Sequence, residues 1–296
     1  MMTGRKEGDK GGGGGVCIIA GSGALPRRVY ESCRQSEHYR NVRVLALRGI
    51  ADKDWLGADV VHEWTALGRI VSALERLRDE HHVDRIVMAG AVTRPSLSAL
   101  MLGADRRTLI FIKRFLQRRG DDDLLRGIVV ALEADLGFRV LGIEDVLQTC
   151  FAPVGFWGRH RADKEALQDI SRAVKVAYVL GSQDVGQAVV AQQNMVLGVE
   201  GIEGTQNLIE RCGALQREGA GGVLVKIKKP QQERRADLPV VGVETVRACG
   251  QQGFQGIAVE AEHVIVMNQE EMVAMADKSG LFVLGLRVAD YVEKKP

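Results

Sequence analysis

The feature that most constrains the fold is a repeated change of period in the first half of the chain. Three short apolar runs, "VCIIA" (16–20), "VRVLAL" (42–47) and "DRIVMAG" (84–90), are separated by stretches with helical spacing. Between the second and third, Leu67, Ile70, Val71, Leu74 and Leu77 recur on one helical face. Runs of this kind suit strands buried on both faces, and intervening helices of this length imply parallel crossovers. Further helices are predicted around 108–119 and 122–135, broken by "RGDDD", and "FRVLGI" closes the series as a strand. The expectation for residues 16–149 is an α/β domain, a mainly parallel sheet with helices on both faces.

Around 148–162 neither period persists, and 150–162 reads as a linker that packs on something. A helix follows with Leu167, Ile170, Val174 and Ala177 on one face. "QAVVAQQNMVLGVE" reads as a hairpin turning near Gln193-Asn194, and "GIAVEAEHVIVMN" as a second hairpin around Ala261-Glu262. "GVLVKI" and "LFVLGL" are predicted strands, with helices over "GTQNLIERCGALQ", "VETVRACGQQ" and "EEMVAMADKSG". The second half, 150–296, is therefore expected to be a C-terminal α+β domain with hairpins. The first fifteen residues, "MMTGRKEGDKGGGGG", are charged and then all glycine, and are expected to be a disordered tail.

Composition excludes several classes of function. A net charge of +2 and 5% aromatics give no basis for a nucleic-acid surface. The five cysteines are scattered without a CxxC pair, as expected of buried, reduced thiols in a cytoplasmic protein. No histidine pair has zinc-ligand spacing. The N-terminal stretch has no apolar region of the kind a secretion signal needs, and no run of about 18 apolar residues could span a membrane.

Several segments carry residue types suited to chemistry. In "IIAGSGALP", Gly21, Ser22 and Gly23 stand at a strand-to-helix turn, where backbone N–H groups can meet a phosphate. The pattern is G-x-G-x-x-P, so a dinucleotide fingerprint fails at its third glycine, and a tight turn without a ligand is the plainer reading. Thr93 and Arg94, in "AGAVTRPS", follow the third strand at the edge that faces the ligand crevice of such sheets. Asp121, Asp122 and Asp123 adjoin a helix N-terminus, where one carboxylate suffices as a cap and the rest are available to a cation or a sugar hydroxyl. Asp184, Gln187, Glu200, Glu203 and Thr205 flank the first hairpin, and turn chemistry or helix capping would explain them equally.

The densest segment is "KKPQQERRADLP", Lys228 to Pro239, which follows an apolar strand directly. Lys228, Lys229, Arg234 and Arg235 suit phosphate oxygens, while Glu233 and Asp237 suit a divalent metal or an attacking water. Phosphoryl chemistry needs both kinds of group. A solvated surface loop is the competing reading.

The ordered series "IAGSGALP", "AGAVTRPSLSAL", "RGDDDLLR", "DVGQAVV", "VEGIEGT", "VLVKIKKPQQERRADLP" and "ADKSGLFVLG" resembles the LpxI-type UDP-2,3-diacylglucosamine pyrophosphatases from about Val16 to Gly285. The resemblance implies a two-domain, homodimeric enzyme of lipid A biosynthesis that needs a divalent cation, Mg²⁺ or Mn²⁺. It would hydrolyse UDP-2,3-diacylglucosamine to lipid X and UMP by attack of water on the β-phosphorus, with possible peripheral contact with the inner membrane face. The family's essential aspartate falls on Asp237, as metal ligand or water activator. Glu233 would support the metal, with Asp122 a further candidate ligand. Lys229, Arg234 and Arg235 would neutralise phosphate charge. Gly21, Ser22, Gly23, Thr93, Arg94, Gln187, Glu203 and Thr205 are the remaining candidates for substrate binding. The chain departs from the family at Gln206, where an aspartate usually follows "EGT". Two other readings stay open: a nucleotide-dependent oxidoreductase on a Rossmann-like domain, and a nucleotide-sugar or lipid-binding protein without turnover.

Overall fold

The computed structural model describes residues 14–92, 103–113, 121–147 and 150–292. The chain divides into two compact units, one built on residues up to Arg118 together with Arg126–Leu147, the other on Arg119–Leu125 and Gln148 onward.

The first unit contains β1 (Gly14–Ala20), α1 (Leu25–Gln35), β2 (Tyr39–Leu47), β3 (His62–Thr65), α2 (Ile70–His81), β4 (Val83–Ala89), α3 (Arg106–Lys113), α4 (Asp121–Ala134), β5 (Arg139–Leu141) and the single turn α5 (Ile143–Val146). The first turn of α4, up to Leu125, groups with the second unit. The strands form a parallel sheet in the order β3-β2-β1-β4-β5. The central strand β1 is buried throughout Val16–Ala20, which is why its sequence is an unbroken apolar run. Helix α1 starts with Pro26 in its first turn and turns Val29, Tyr30 and Cys33 inward. Helix α2 buries Val71, Ala73, Leu74 and Leu77 and ends at His82 in the left-handed conformation.

Three details differ from expectation here. β1 begins at Gly14, inside the stretch expected to be tail: a Cβ at Gly15 would stand 2.7 Å from His82 O, so a close backbone approach uses the glycine. β3 was not predicted; it is four residues long, partly exposed and on the sheet edge, where alternation is weak. Helix α3 starts at Arg106, before its expected start, and residues 114–120 lie outside those described.

The second unit contains β6 (Gly155–Trp157), α6 (Lys164–Ser182), β7 (Ala188–Gln192), β8 (Met195–Val199), α7 (Gly204–Gly213), β9 (Val223–Lys226), β10 (Val240–Val241), α8 (Val243–Gln251), β11 (Gly256–Glu260), β12 (Ile265–Val266), α9 (Gln269–Lys278) and β13 (Phe282–Leu286). Its main sheet runs β6-β13-β11-β9-β7-β8. β9, β11 and β13 are mutually parallel, and β6, β7 and β8 are antiparallel to their neighbours. Successive residues divide between two cores with the period of two that a strand imposes. Val189, Val225, Ala258 and Leu284 pack with Ile170, Ala173, Val174 and Ala177 of α6. Val190, Leu224, Ile257 and Val283 pack with Leu208 and Cys212 of α7, Val246 of α8 and Met272 of α9. All five cysteines are buried thiols.

The first hairpin turns at Gln193 and Asn194, both with positive φ, as a two-residue type I′ turn requires. Buried Asp169 accepts the N–H groups of both. The second hairpin does not form. β11 already has β9 on one edge and β13 on the other, so β12 pairs instead with β10 in a separate two-stranded parallel sheet. The supposed linker supplies β6, antiparallel to β13. Leu167 is exposed, and Ala166 takes its place on the buried face of α6.

Candidate active site

The loop between β9 and β10 is anchored at both ends. Before it, β9 is buried along its whole length, Lys226 included. After it, Leu238 is buried and Pro239 O accepts Ile265 N. A charged loop held between two buried strands cannot swing out to solvent as a unit, so some of its polar groups fold inward.

Lys229 is the first of these. Its Nζ donates to Asp184 Oδ1 at 2.5 Å and to Asp122 Oδ1 at 3.1 Å. Asp122 stands in the first turn of α4, and its N–H donates to Asp184 Oδ2. All three side chains are largely buried. Burial works against the Lys229 charge, but the two carboxylates outweigh it and hold the ammonium above its ordinary pKa. Burial, with Asp184 and Asp237 nearby, pushes the Asp122 carboxyl up against the pull of Lys229. Asp122 Oδ2 is enclosed and has no hydrogen-bond partner among the described residues.

Gln232 is the second. It is 5% exposed. Its Oε1 accepts Lys229 N at 3.2 Å, and its Nε2 donates to Asp237 Oδ2 at 2.5 Å and to Gln187 Oε1 at 3.4 Å. Asp237 N in turn donates to Glu233 O, which closes the loop on itself.

Lys226 is the third, and it comes from the strand. Its Nζ donates to Thr205 Oγ1 at 2.9 Å and to Val240 O at 3.1 Å. The Thr205 hydroxyl donates onward to Glu200 Oε1 at 2.5 Å, and Glu200 Oε2 accepts Gln187 N. Burial lowers the Lys226 pKa, opposed by the charges of Glu200 and Asp237. The result is a buried polar network in which Asp237 lies within electrostatic reach of both Lys226 and Asp122. Cationic groups and a carboxylate with a defined hydrogen bond on one oxygen suit attack of water on a phosphoanhydride.

The other candidates are placed differently. Glu233 takes the Arg235 guanidinium across both its oxygens, at 3.0 and 3.3 Å. The Arg234 guanidinium lies over the Phe151 ring, 6.0 Å from its centroid. Glu203 is ion-paired to Arg211 and accepts Gly201 N. Gln206 is exposed and donates to Glu210 one turn along α7. Lys228 Nζ donates to the carbonyl oxygens of Lys229 and Pro230.

In the first unit, Gly21, Ser22 and Gly23 stand where the strand order reverses between β1 and β4. Their three N–H groups donate to Ala89 O, Ala91 O and Asp52 Oδ2. A Cβ at Gly21 would collide with Ala91 O, so this glycine serves the contact with the β4 loop. Thr93 and Arg94 lie outside the described residues.

Sequence reasoning did not single out Lys226 and treated Gln232 only as part of a motif. The available signal for Lys226 was a lysine in an otherwise apolar strand, and for Gln232 a neutral side chain among charged ones.

Two family models cover the chain: residues 15–150 match the LpxI N-terminal domain and residues 153–284 the LpxI C-terminal domain. A curated protein of Caulobacter vibrioides, UDP-2,3-diacylglucosamine pyrophosphatase LpxI, is 36% identical over 280 residues, covering 91% of this chain and 96% of that protein. Matched over both halves and nearly the full length of that relative, this chain belongs to the LpxI family.

Proposed function

We propose that this chain hydrolyses the pyrophosphate bond of UDP-2,3-diacylglucosamine, releasing lipid X and UMP, within lipid A biosynthesis. The observation that carries the reading is Asp237, held through one oxygen by buried Gln232 and within electrostatic reach of the buried Lys226 ammonium. Water adds to phosphorus, the bridging P–O bond breaks, and UMP leaves with the bridging oxygen and its electron pair. Asp237 takes the proton of the attacking water. Lys226 faces the charge that develops on the phosphoryl oxygens, and Lys229 holds Asp122 in place.

A divalent cation is part of this proposal. Among the described residues no group of three His, Cys, Asp or Glu side chains forms a ready-made metal cage. Mg²⁺ is commonly held by one or two carboxylates together with substrate phosphates. Asp237 and Asp122 Oδ2, which has no hydrogen-bond partner among the described residues, fit that requirement, whereas both oxygens of Glu233 are engaged by Arg235. When bound, such an ion would neutralise phosphate charge.

The family resemblance also supports a homodimer at the cytoplasmic face of the inner membrane. Among the described residues no helix is long and apolar enough to cross a membrane. Light scattering on purified protein tests the dimer, and sedimentation with vesicles tests peripheral contact.

The deciding experiment measures UMP release from UDP-2,3-diacylglucosamine by wild-type protein and Asp237→Asn, each with Mg²⁺ and with EDTA. Release by the wild type, its loss in the variant and its loss on chelation are expected. Bound substrate with no UMP release would overturn the hydrolase reading, and release unaffected by EDTA would overturn the metal.

A further inference from the structure

We propose that Glu200 and Thr205 are positioning residues that together aim the Lys226 ammonium at the reacting phosphate, with the Thr205 hydroxyl serving the protein rather than the substrate. The inference deepens the hydrolase reading and rests on it for the role of Lys226.

The pair follows from the order of three strands. β7 lies between β8 and β9, and Ala188 at its start pairs with Lys226 on one side, while its carbonyl accepts Glu200 N on the other. Glu200 comes directly after β8, and Lys226 is the last residue of β9. They therefore stand at the same end of the sheet, two strand spacings or roughly 10 Å apart along the backbone ladder. Residues 201–204 turn the chain back into α7, and the Thr205 hydroxyl in its first turn reaches both side chains, 2.5 Å from Glu200 Oε1 and 2.9 Å from Lys226 Nζ.

The chemistry of the three groups fixes their roles. An ammonium only donates and a carboxylate only accepts, so the hydroxyl between them has one polarity: it accepts from Lys226 and donates to Glu200. Its proton is committed within the protein, and Thr205 has no donor left for a substrate. Lys226 gives a second N–H to Val240 O, which leaves the third for a phosphoryl oxygen. An ammonium on a flexible four-carbon stem samples many directions, whereas two fixed acceptors restrict its remaining N–H to one. The other Glu200 oxygen accepts Gln187 N, and Gln187 Oε1 accepts Gln232 Nε2, the group that also donates to Asp237. One carboxylate thus ties the cation and the base to a common frame. Lys226 is 7% exposed and Glu200 6%. Apolar side chains of similar volume often serve stability as well as a buried charged network, so these groups point to the reaction.

The test compares wild type with Glu200→Gln, Thr205→Val, Thr205→Ser and Lys226→Met through two readouts. UMP release from UDP-2,3-diacylglucosamine with Mg²⁺ gives kcat and KM. ¹⁵N NMR of the lysine ammonium groups, with the Lys226 signal assigned by its loss in Lys226→Met, follows the ammonium without substrate or metal. Thr205 is only partly buried, so both of its replacements should keep the wild-type melting temperature. kcat should fall about 10- to 100-fold in Glu200→Gln and Thr205→Val with KM little changed, and Thr205→Ser, which keeps the hydroxyl, should restore it. Adding Glu200→Gln to Lys226→Met should lower kcat little further. The Lys226 signal should persist in Thr205→Ser and shift or broaden in Thr205→Val and Glu200→Gln. A raised KM at unchanged kcat would make Thr205 a substrate contact and overturn the proposal. So would an unmoved Lys226 signal in Thr205→Val, or a Thr205→Ser protein as impaired as Thr205→Val. Wild type that binds substrate and releases no UMP overturns the hydrolase reading instead, and the ammonium signal then decides whether Glu200 and Thr205 hold Lys226.

Discussion

Gln232 Nε2 donates to Asp237 Oδ2 at 2.5 Å, while Gln232 Oε1 accepts the Lys229 N–H at 3.2 Å. One neutral side chain thus fixes the orientation of the carboxylate and ties it to the turn that carries Lys229. An amide suits this position because it donates to the carboxylate and accepts from the backbone without adding charge to a buried site.

Replacing Gln232 with leucine should keep the fold but leave Asp237 without its donor. We expect kcat to fall by about 10- to 100-fold with KM little changed, a smaller loss than the roughly 10²–10⁴-fold expected for Asp237→Asn. An unchanged kcat in Gln232→Leu would show that Gln232 does not orient Asp237.

Glu233 and Asp237 are four residues apart but differ in their partners. With both its oxygens on Arg235, Glu233 reads as a brace of the loop. Glu233→Gln should retain turnover within roughly tenfold of wild type, while Asp237→Asn does not. Equal loss in the two variants, measured at saturating Mg²⁺, would return Glu233 to the reaction.

Lys229→Gln removes the ammonium that bonds both Asp122 and Asp184. Two buried carboxylates left facing each other should cost about 3 kcal/mol or more in urea unfolding at neutral pH. Because the folded state raises the Lys229 pKa, its contribution is fully present below the ordinary lysine value and fades as pH rises through the raised one. Adding Asp184→Asn to Lys229→Gln should recover part of the loss, and strict additivity of the two changes would argue against coupling.

Lys226 behaves in the opposite sense. Burial lowers its pKa, so its ammonium is lost below the pH at which an exposed lysine titrates. The alkaline limb of kcat should therefore fall below the ordinary lysine value. Lys226→Met should reduce kcat on the order of 10²-fold, and Lys226→Arg, which stays charged, should move the limb upward. An alkaline limb identical in wild type and Lys226→Arg would remove Lys226 from the mechanism.

Much of this protein was legible along the chain. The parallel sheet of the first unit follows from apolar runs alternating with helical spacing, and the turn at Gln193-Asn194 is marked by Asn194, a residue that tolerates positive φ. These are local properties, set by neighbours within a few positions. The partner of each strand was less legible: β11 and β12 have hairpin spacing, yet both edges of β11 are already taken. The charges of the β9–β10 loop were visible as composition, but their pairing was not. Asp122, Asp184 and Lys229 are scattered over more than one hundred residues, and Lys226 looked like part of an apolar strand. The sequence alone determined most of the helices and buried strands, though not β3 or β6, and which loop concentrates charge. Only the tertiary structure decided that Glu233 is braced, that Asp237 is oriented and that the Gly21–Gly23 amides are occupied. Those outcomes depend on which polar groups burial brings within hydrogen-bonding distance, and no local pattern encodes that.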